Sequence, residues 1–99
     1  MDDESLLEEL KASGRVTAKQ VAMWRDSSAL LTILDAIGRE GAIMLIKVDG
    51  ARTNGSIYTV LVSGGRLGED SFRRDGADLP ALLREAIAFY REKVWSTDG

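Results

Sequence analysis

The sequence predicts an α+β domain: N-terminal helices, a three-stranded antiparallel meander and a C-terminal helix packed on one sheet face, giving an α-β-β-β-α core in two layers. Three observations carry this. Near the C-terminus Leu79, Leu82, Leu83, Ala86, Ile87, Tyr90 and Val94 recur at three and four residues, with Arg84, Glu85, Arg91 and Glu92 opposite, which is the stripe of an amphipathic helix. In mid-chain, GAIMLIKVDG has the pattern of a buried strand bounded by glycines, and SIYTVLVSG, rich in β-branched and aromatic residues, that of another. Between them the turn dipeptides Asp49-Gly50 and Asn54-Gly55 predict an antiparallel hairpin with a long, mobile loop and Arg52 at its tip.

The remaining elements follow in order. From Asp3 to Ser13, Leu6, Leu7 and Leu10 share one side, acids fill the first turn, Lys11 lies near the end and Gly14 supplies the stop, so a short amphipathic helix is expected. Residues 1–14 then form a helical extension and 15–99 the core of a single domain. Thr17 with Gln20 three residues on has the spacing of a capping box and starts a second helix. RDSSALLTILDAIG carries Leu30, Leu31, Ile33, Leu34 and Ile37 and ends at Gly38; Asp26, Ser27 and Ser28 fit either a kink or the start of a separate helix. Trp24 shares a face with Leu31 and is expected in the core. EDSFRRD alternates around Phe72, as a short third strand at a charged sheet edge would. Pro80 suits only the first turn of a helix, so the last helix begins near Asp78.

Composition narrows the function. A chain of 99 residues, 44% hydrophobic, holds one core. It has no histidine and no cysteine, which removes Ser-His-Asp, Cys-His and imidazole- or thiolate-ligated metal chemistry, as well as disulfides. The N-terminal MDDESLLEEL is acidic where a secretory signal is basic, and no apolar run approaches the ~18 residues of a membrane span, so a cytoplasmic protein without a membrane role is expected. A net charge of -3 disfavours a phosphate backbone as partner. A domain of this size buries only about 60–70% of its unfolded surface, which makes a homo-oligomer a candidate state.

The stretch VLVSGGRLGEDSFRRDGADL tests for chemistry directly. Gly64, Gly65 and Gly68 do not sit between a strand and a helix, and no Lys-Ser/Thr pair follows them, so they read as turn glycines and not as a phosphate cradle. Adjacent strand positions diverge, which separates Glu69 from Asp70, while Asp75-Gly76 marks a turn and Asp78 caps a helix. No catalytic residue, metal site or cofactor is expected, and the chain reads as a non-enzyme. A helix-turn-helix over residues 16–38 is excluded because its recognition helix, from Ser28 to Ile37, carries no lysine or arginine.

From Thr17 onward the order helix, strand, strand, strand, helix resembles the double-stranded RNA-binding domain, with YTVLVSGGRLGEDSFRRDGADLPALLREAIAFY in place of its second strand, turn, third strand and final helix. The resemblance covers about two-thirds of the chain and implies a nucleic-acid-binding alternative through Arg52, Arg66, Arg73 and Arg74. Where that family places phosphate-spanning lysines, this chain has Asp75, Gly76, Ala77 and Asp78. The principal expectation is therefore a protein that binds another protein, of the inhibitor, immunity or phage anti-defence type. Its contact residues would be Arg52, Arg66, Glu69, Asp70, Arg73, Arg74 and Trp95, since interfaces favour arginine and aromatic groups.

Overall fold

A computed structural model describes residues 2–25 and 27–98. It contains four helices, α1 (Asp3–Ala12), α2 (Ala18–Trp24), α3 (Ser28–Arg39) and α4 (Leu79–Lys93), and three strands, β1 (Ile43–Val48), β2 (Tyr58–Ser63) and β3 (Phe72–Gly76). The expected two-layer α+β fold is what forms, with α4 laid across β2 and β3.

Local chemistry sets each boundary. Asp2 accepts from the Ser5 amide at 2.7 Å and opens α1. Thr17 and Gln20 form the reciprocal capping box of α2, at 3.1 and 2.7 Å. The segment left open as one bent helix or two is two helices, α2 ending at Trp24 and α3 starting at Ser28; of the residues between them, Asp26 lies outside the described ones. Asp78 caps α4 through the Ala81 amide at 3.0 Å, and Pro80 occupies its first turn.

The strands pair antiparallel in the order β1-β2-β3, with Met44 opposite Val62 and Phe72, Ile46 opposite Val60 and Arg74, and Val48 opposite Tyr58 and Gly76. Because strand side chains alternate, these even-numbered rows all face the helices. Val60 and Val62 are fully buried there against Leu82, Leu83, Ala86 and Tyr90 of α4, with Leu30 and Ile37 of α3 completing the core. Gly76 allows α4 to come close: a Cβ there would stand 3.2 Å from Leu82. The odd-numbered rows Ile43-Ser63, Leu45-Leu61-Arg73 and Lys47-Thr59-Asp75 form the other face, over which no helix packs closely.

Two glycines of the β2–β3 connection do more than turn the chain. Gly65 has φ +56, and a Cβ on it would lie 2.7 Å from the Ala42 amide nitrogen, so the connection grips the chain just ahead of β1. The 3-10 turn Gly65–Leu67 then sends Leu67 into the core. At the N-terminus, α1 and α2 contribute no buried residue and touch the rest sparsely. They stretch the molecule to 47 × 31 × 19 Å with a radius of gyration of 15.6 Å, above the ~13 Å of a compact 100-residue domain. Trp24 is half-buried against the core as expected, but Leu31 does not share its burial, being 61% exposed. Leu31 sits beside the Leu30-Leu34-Ile37 stripe that faces inward, so the stripe, and not the whole apolar run, defines the buried side.

Candidate functional site

The residues that could meet a partner fall at three places on the sheet layer. The first is the open face. Here Arg52 does not project from its loop but folds back: it donates from Nη1 to the Ser56 carbonyl at 3.0 Å and from Nη2 to Thr59 Oγ1 at 2.8 Å. The loop is organised by two short side-chain-to-backbone bonds, Ala51 N–H to Asp49 Oδ1 and Ser56 N–H to Asn54 Oδ1, which explains the return of the chain. Thr59, covered in this way, donates its hydroxyl to Asp75 Oδ1. Arg52 and Arg73 lie 3.6 and 3.7 Å from that carboxylate, and Lys47 and Arg52 lie 3.6 and 3.5 Å from Asp49. The Thr59 hydrogen bond is the largest cause that holds the Asp75 pKa below its ordinary 3.8; desolvation opposes it, and the charges of Arg73, Arg52 and Lys47 lower it further. This polar cluster borders an apolar strip of Ile43, Leu45 and Leu61 on the same face.

The second place is the pair of sheet edges. In an antiparallel ladder successive residues send their backbone groups to opposite sides. The Asp49 amide bonds to the Ile57 carbonyl at 2.7 Å in continuation of the β1–β2 register, so the odd residues of β1 bond inward. Met44, Ile46 and Val48 therefore present their N–H and C=O groups outward. The strand that carries them is apolar and open: Ile43 is 61%, Leu45 51%, Ile46 39% and Val48 62% exposed. At the other edge the outward groups belong to Arg73 and Asp75, whose side chains pair with each other. Arg74 is on the helix side, paired with Glu85 of α4 and stacked over Phe72 at 5.7 Å.

The third place is a junction that the sequence did not disclose. Glu40, just past α3, accepts from the Tyr90 hydroxyl at 2.7 Å and from the Trp95 indole N–H at 2.9 Å, with Arg66 at 3.6 Å. Trp95 meets Tyr90 edge-on at 5.1 Å between centroids. Three segments distant in sequence are thus tied by one carboxylate, and only the pairing of two aromatic donors near the C-terminus hinted at a need for an acceptor. The contact residues expected from sequence do not form one patch. Arg52 and Arg73 share the open face, Arg74 lies across the sheet, Arg66 and Trp95 belong to the Glu40 junction, and Glu69 and Asp70 are exposed in the segment entering β3.

An open groove of about 580 Å³ lies between α1 and α2, lined by Leu7, Val16, Val21 and Trp24 with Glu4, Glu8, Lys11 and Arg25 at its rim. Among the described residues no three acidic groups converge to hold a metal ion, and no helix is long and apolar enough to cross a membrane. Set beside known proteins, the chain matches no family model, no curated protein and no solved structure.

Proposed function

We propose that the chain works by binding another protein through the open face of its sheet, in the cytoplasm and without chemistry of its own, in the manner of an inhibitor, immunity or anti-defence protein. The observation that carries this is the strip formed by exposed Ile43 and Leu45 with half-buried Leu61, bordered by the Lys47, Asp49, Arg52, Arg73 and Asp75 cluster. An apolar centre with a polar rim is the anatomy of a protein interface. The strip is held on a rigid ladder, so little ordering is needed on association.

A protein partner is better supported than a nucleic acid. Arg52, Arg66, Arg73 and Arg74 all lie within 3.7 Å of a carboxylate, so a phosphate backbone would compete with intramolecular anions as well as with the net charge of -3.

The test is site-specific photo-crosslinking in the native source, with the probe at Leu45 or at Arg84 on the exposed side of α4. Adducts of one defined partner from Leu45 and none from Arg84 are expected, and Leu45→Asp should weaken the isolated complex tenfold or more. Adducts confined to Arg84, or a mobility shift of double-stranded RNA at low salt that Arg52→Ala and Arg73→Ala abolish, would overturn the reading.

A further inference from the structure

We propose that the β1 edge pairs with the β1 edge of a second copy, antiparallel about Ile46, joining two three-stranded sheets into one of six strands. The pairing uses the backbone edge and touches the open face only along the rim where Leu45 meets Lys47, so it does not depend on the partner proposed above.

The geometry selects both the occupant and the register. Along β1 the outward backbone groups belong to Met44, Ile46 and Val48. A two-fold axis normal to the sheet keeps like faces together, which requires residues of the same parity to face each other. With Ile46 on the axis, Met44 meets Val48 of the second copy, Ile46 meets Ile46, and every outward N–H and C=O of the strand finds a partner. On the helix side this sets apolar against apolar. On the open side Leu45 meets Lys47, whose ammonium already lies 3.6 Å from Asp49 of its own chain, so no unpaired charge enters the seam. A register one step further along would set Lys47 against Lys47, which like charges oppose.

The strand also lacks the devices that keep monomer edges apart. It is six residues long, with an unbroken register and no proline, glycine or bulge, and its single lysine is neutralised. α3 touches β1 and carries the helix layer to this side of the sheet. A strip about 20 Å long and one strand-plus-helix layer, about 20 Å, tall hides on the order of 800 Å² over both copies. That is below the roughly 1,200–2,000 Å² of standard interfaces and in the range of weak, transient associations.

Sedimentation equilibrium of the purified full chain, from micromolar to millimolar, should show the mass rising from 10.8 kDa to twice that value. Ile46→Pro removes one outward N–H and no bond to β2, which an edge strand tolerates; Ile46→Lys sets two ammonium groups on the axis. Each should remain folded by circular dichroism and weaken the dimer about a hundredfold, and mixing Ile46→Lys with Ile46→Glu should restore it as a heterodimer. Because the chain has no cysteine, Ile46→Cys reads the register: facing Cα atoms about 5.5 Å apart fall within disulfide range. Oxidation should link it into dimers, and Lys47→Cys much less. A wild-type chain that stays monomeric at millimolar concentration, or a dimer that survives both Ile46→Pro and Ile46→Lys, would overturn the pairing; a dimer that links through Lys47→Cys and not Ile46→Cys would overturn the register. Leu45 adducts to a second copy of the chain report the pairing and adducts to a different protein report the open face, so adduct mass separates the two readings.

Discussion

The two edges of the sheet are built from the same ladder and yet are opposites. On β3 the outward backbone groups belong to Arg73 and Asp75, which pair with each other, and Arg74 reaches back to Glu85 on α4. An approaching strand would have to displace those charges. On β1 the outward groups belong to Met44, Ile46 and Val48, in a strand whose only charge, Lys47, is held by Asp49. The difference teaches that charge density in the sequence is a poor guide to where contact occurs. Charges that neutralise one another close an edge, and an apolar strand left outside the helix layer opens one.

Substitutions across the sheet and its supports should differ widely in cost. Gly65→Ala should be the most damaging, because its Cβ would meet the backbone at Ala42 and Gly41 while the residue is held at φ +56. A loss of about 2–4 kcal/mol is expected from denaturant unfolding, with loss of the β1 edge as a defined surface. Glu40→Ala should come next. It removes the acceptor of Tyr90 and Trp95, at a cost of about 1–3 kcal/mol, and should raise the fluorescence sensitivity of Trp95 to quencher while leaving β1 pairing intact. Arg74→Ala on the guarded edge breaks a partly exposed ion pair and should cost only about 0–1 kcal/mol, a difference that shrinks further in high salt.

The smallest effect is a pH dependence on the open face. Asp75 is held below its ordinary pKa by the Thr59 hydroxyl and by Arg73, Arg52 and Lys47, so its folded-state pKa lies under its unfolded one. The stabilisation is fully present above about 3.8 and is lost as pH falls through the lower folded value. Asp75→Asn should therefore flatten the acid limb of a thermal-stability profile below pH 3.8 and leave the neutral plateau nearly parallel to that of the parent chain. An unchanged acid limb would mean that the Thr59 contact does not hold the carboxylate in solution.

The elements were legible in the sequence because their signals are local. The Thr17-Gln20 box, the Asp78 cap, Pro80 and the α4 stripe each act within a few residues, and each sits where periodicity and capping place it. The partition of surfaces was not legible, for it depends on which face each neighbour takes. Arg73 and Arg74 are adjacent and chemically alike, but the pleat sends one to the open face and the other to Glu85. GAIMLIKVDG has the composition of a buried central strand, yet β1 is an edge, because the chain reverses only once before β2 takes the centre under α4. Trp95, expected from its type to meet a partner, is drawn in by Glu40, a residue fifty-five positions earlier that no local pattern associates with it.

The central claim is that β1 is an edge built for pairing and β3 an edge built against it. Residue-resolved amide hydrogen exchange on the purified full chain, across a concentration series, tests it most directly. The amides of Met44, Ile46 and Val48 should gain protection as concentration rises, while those of Arg73 and Asp75 exchange equally fast at every concentration. Fast exchange at Met44, Ile46 and Val48 up to millimolar chain, or protection that grows at Arg73 and Asp75 instead, would contradict it.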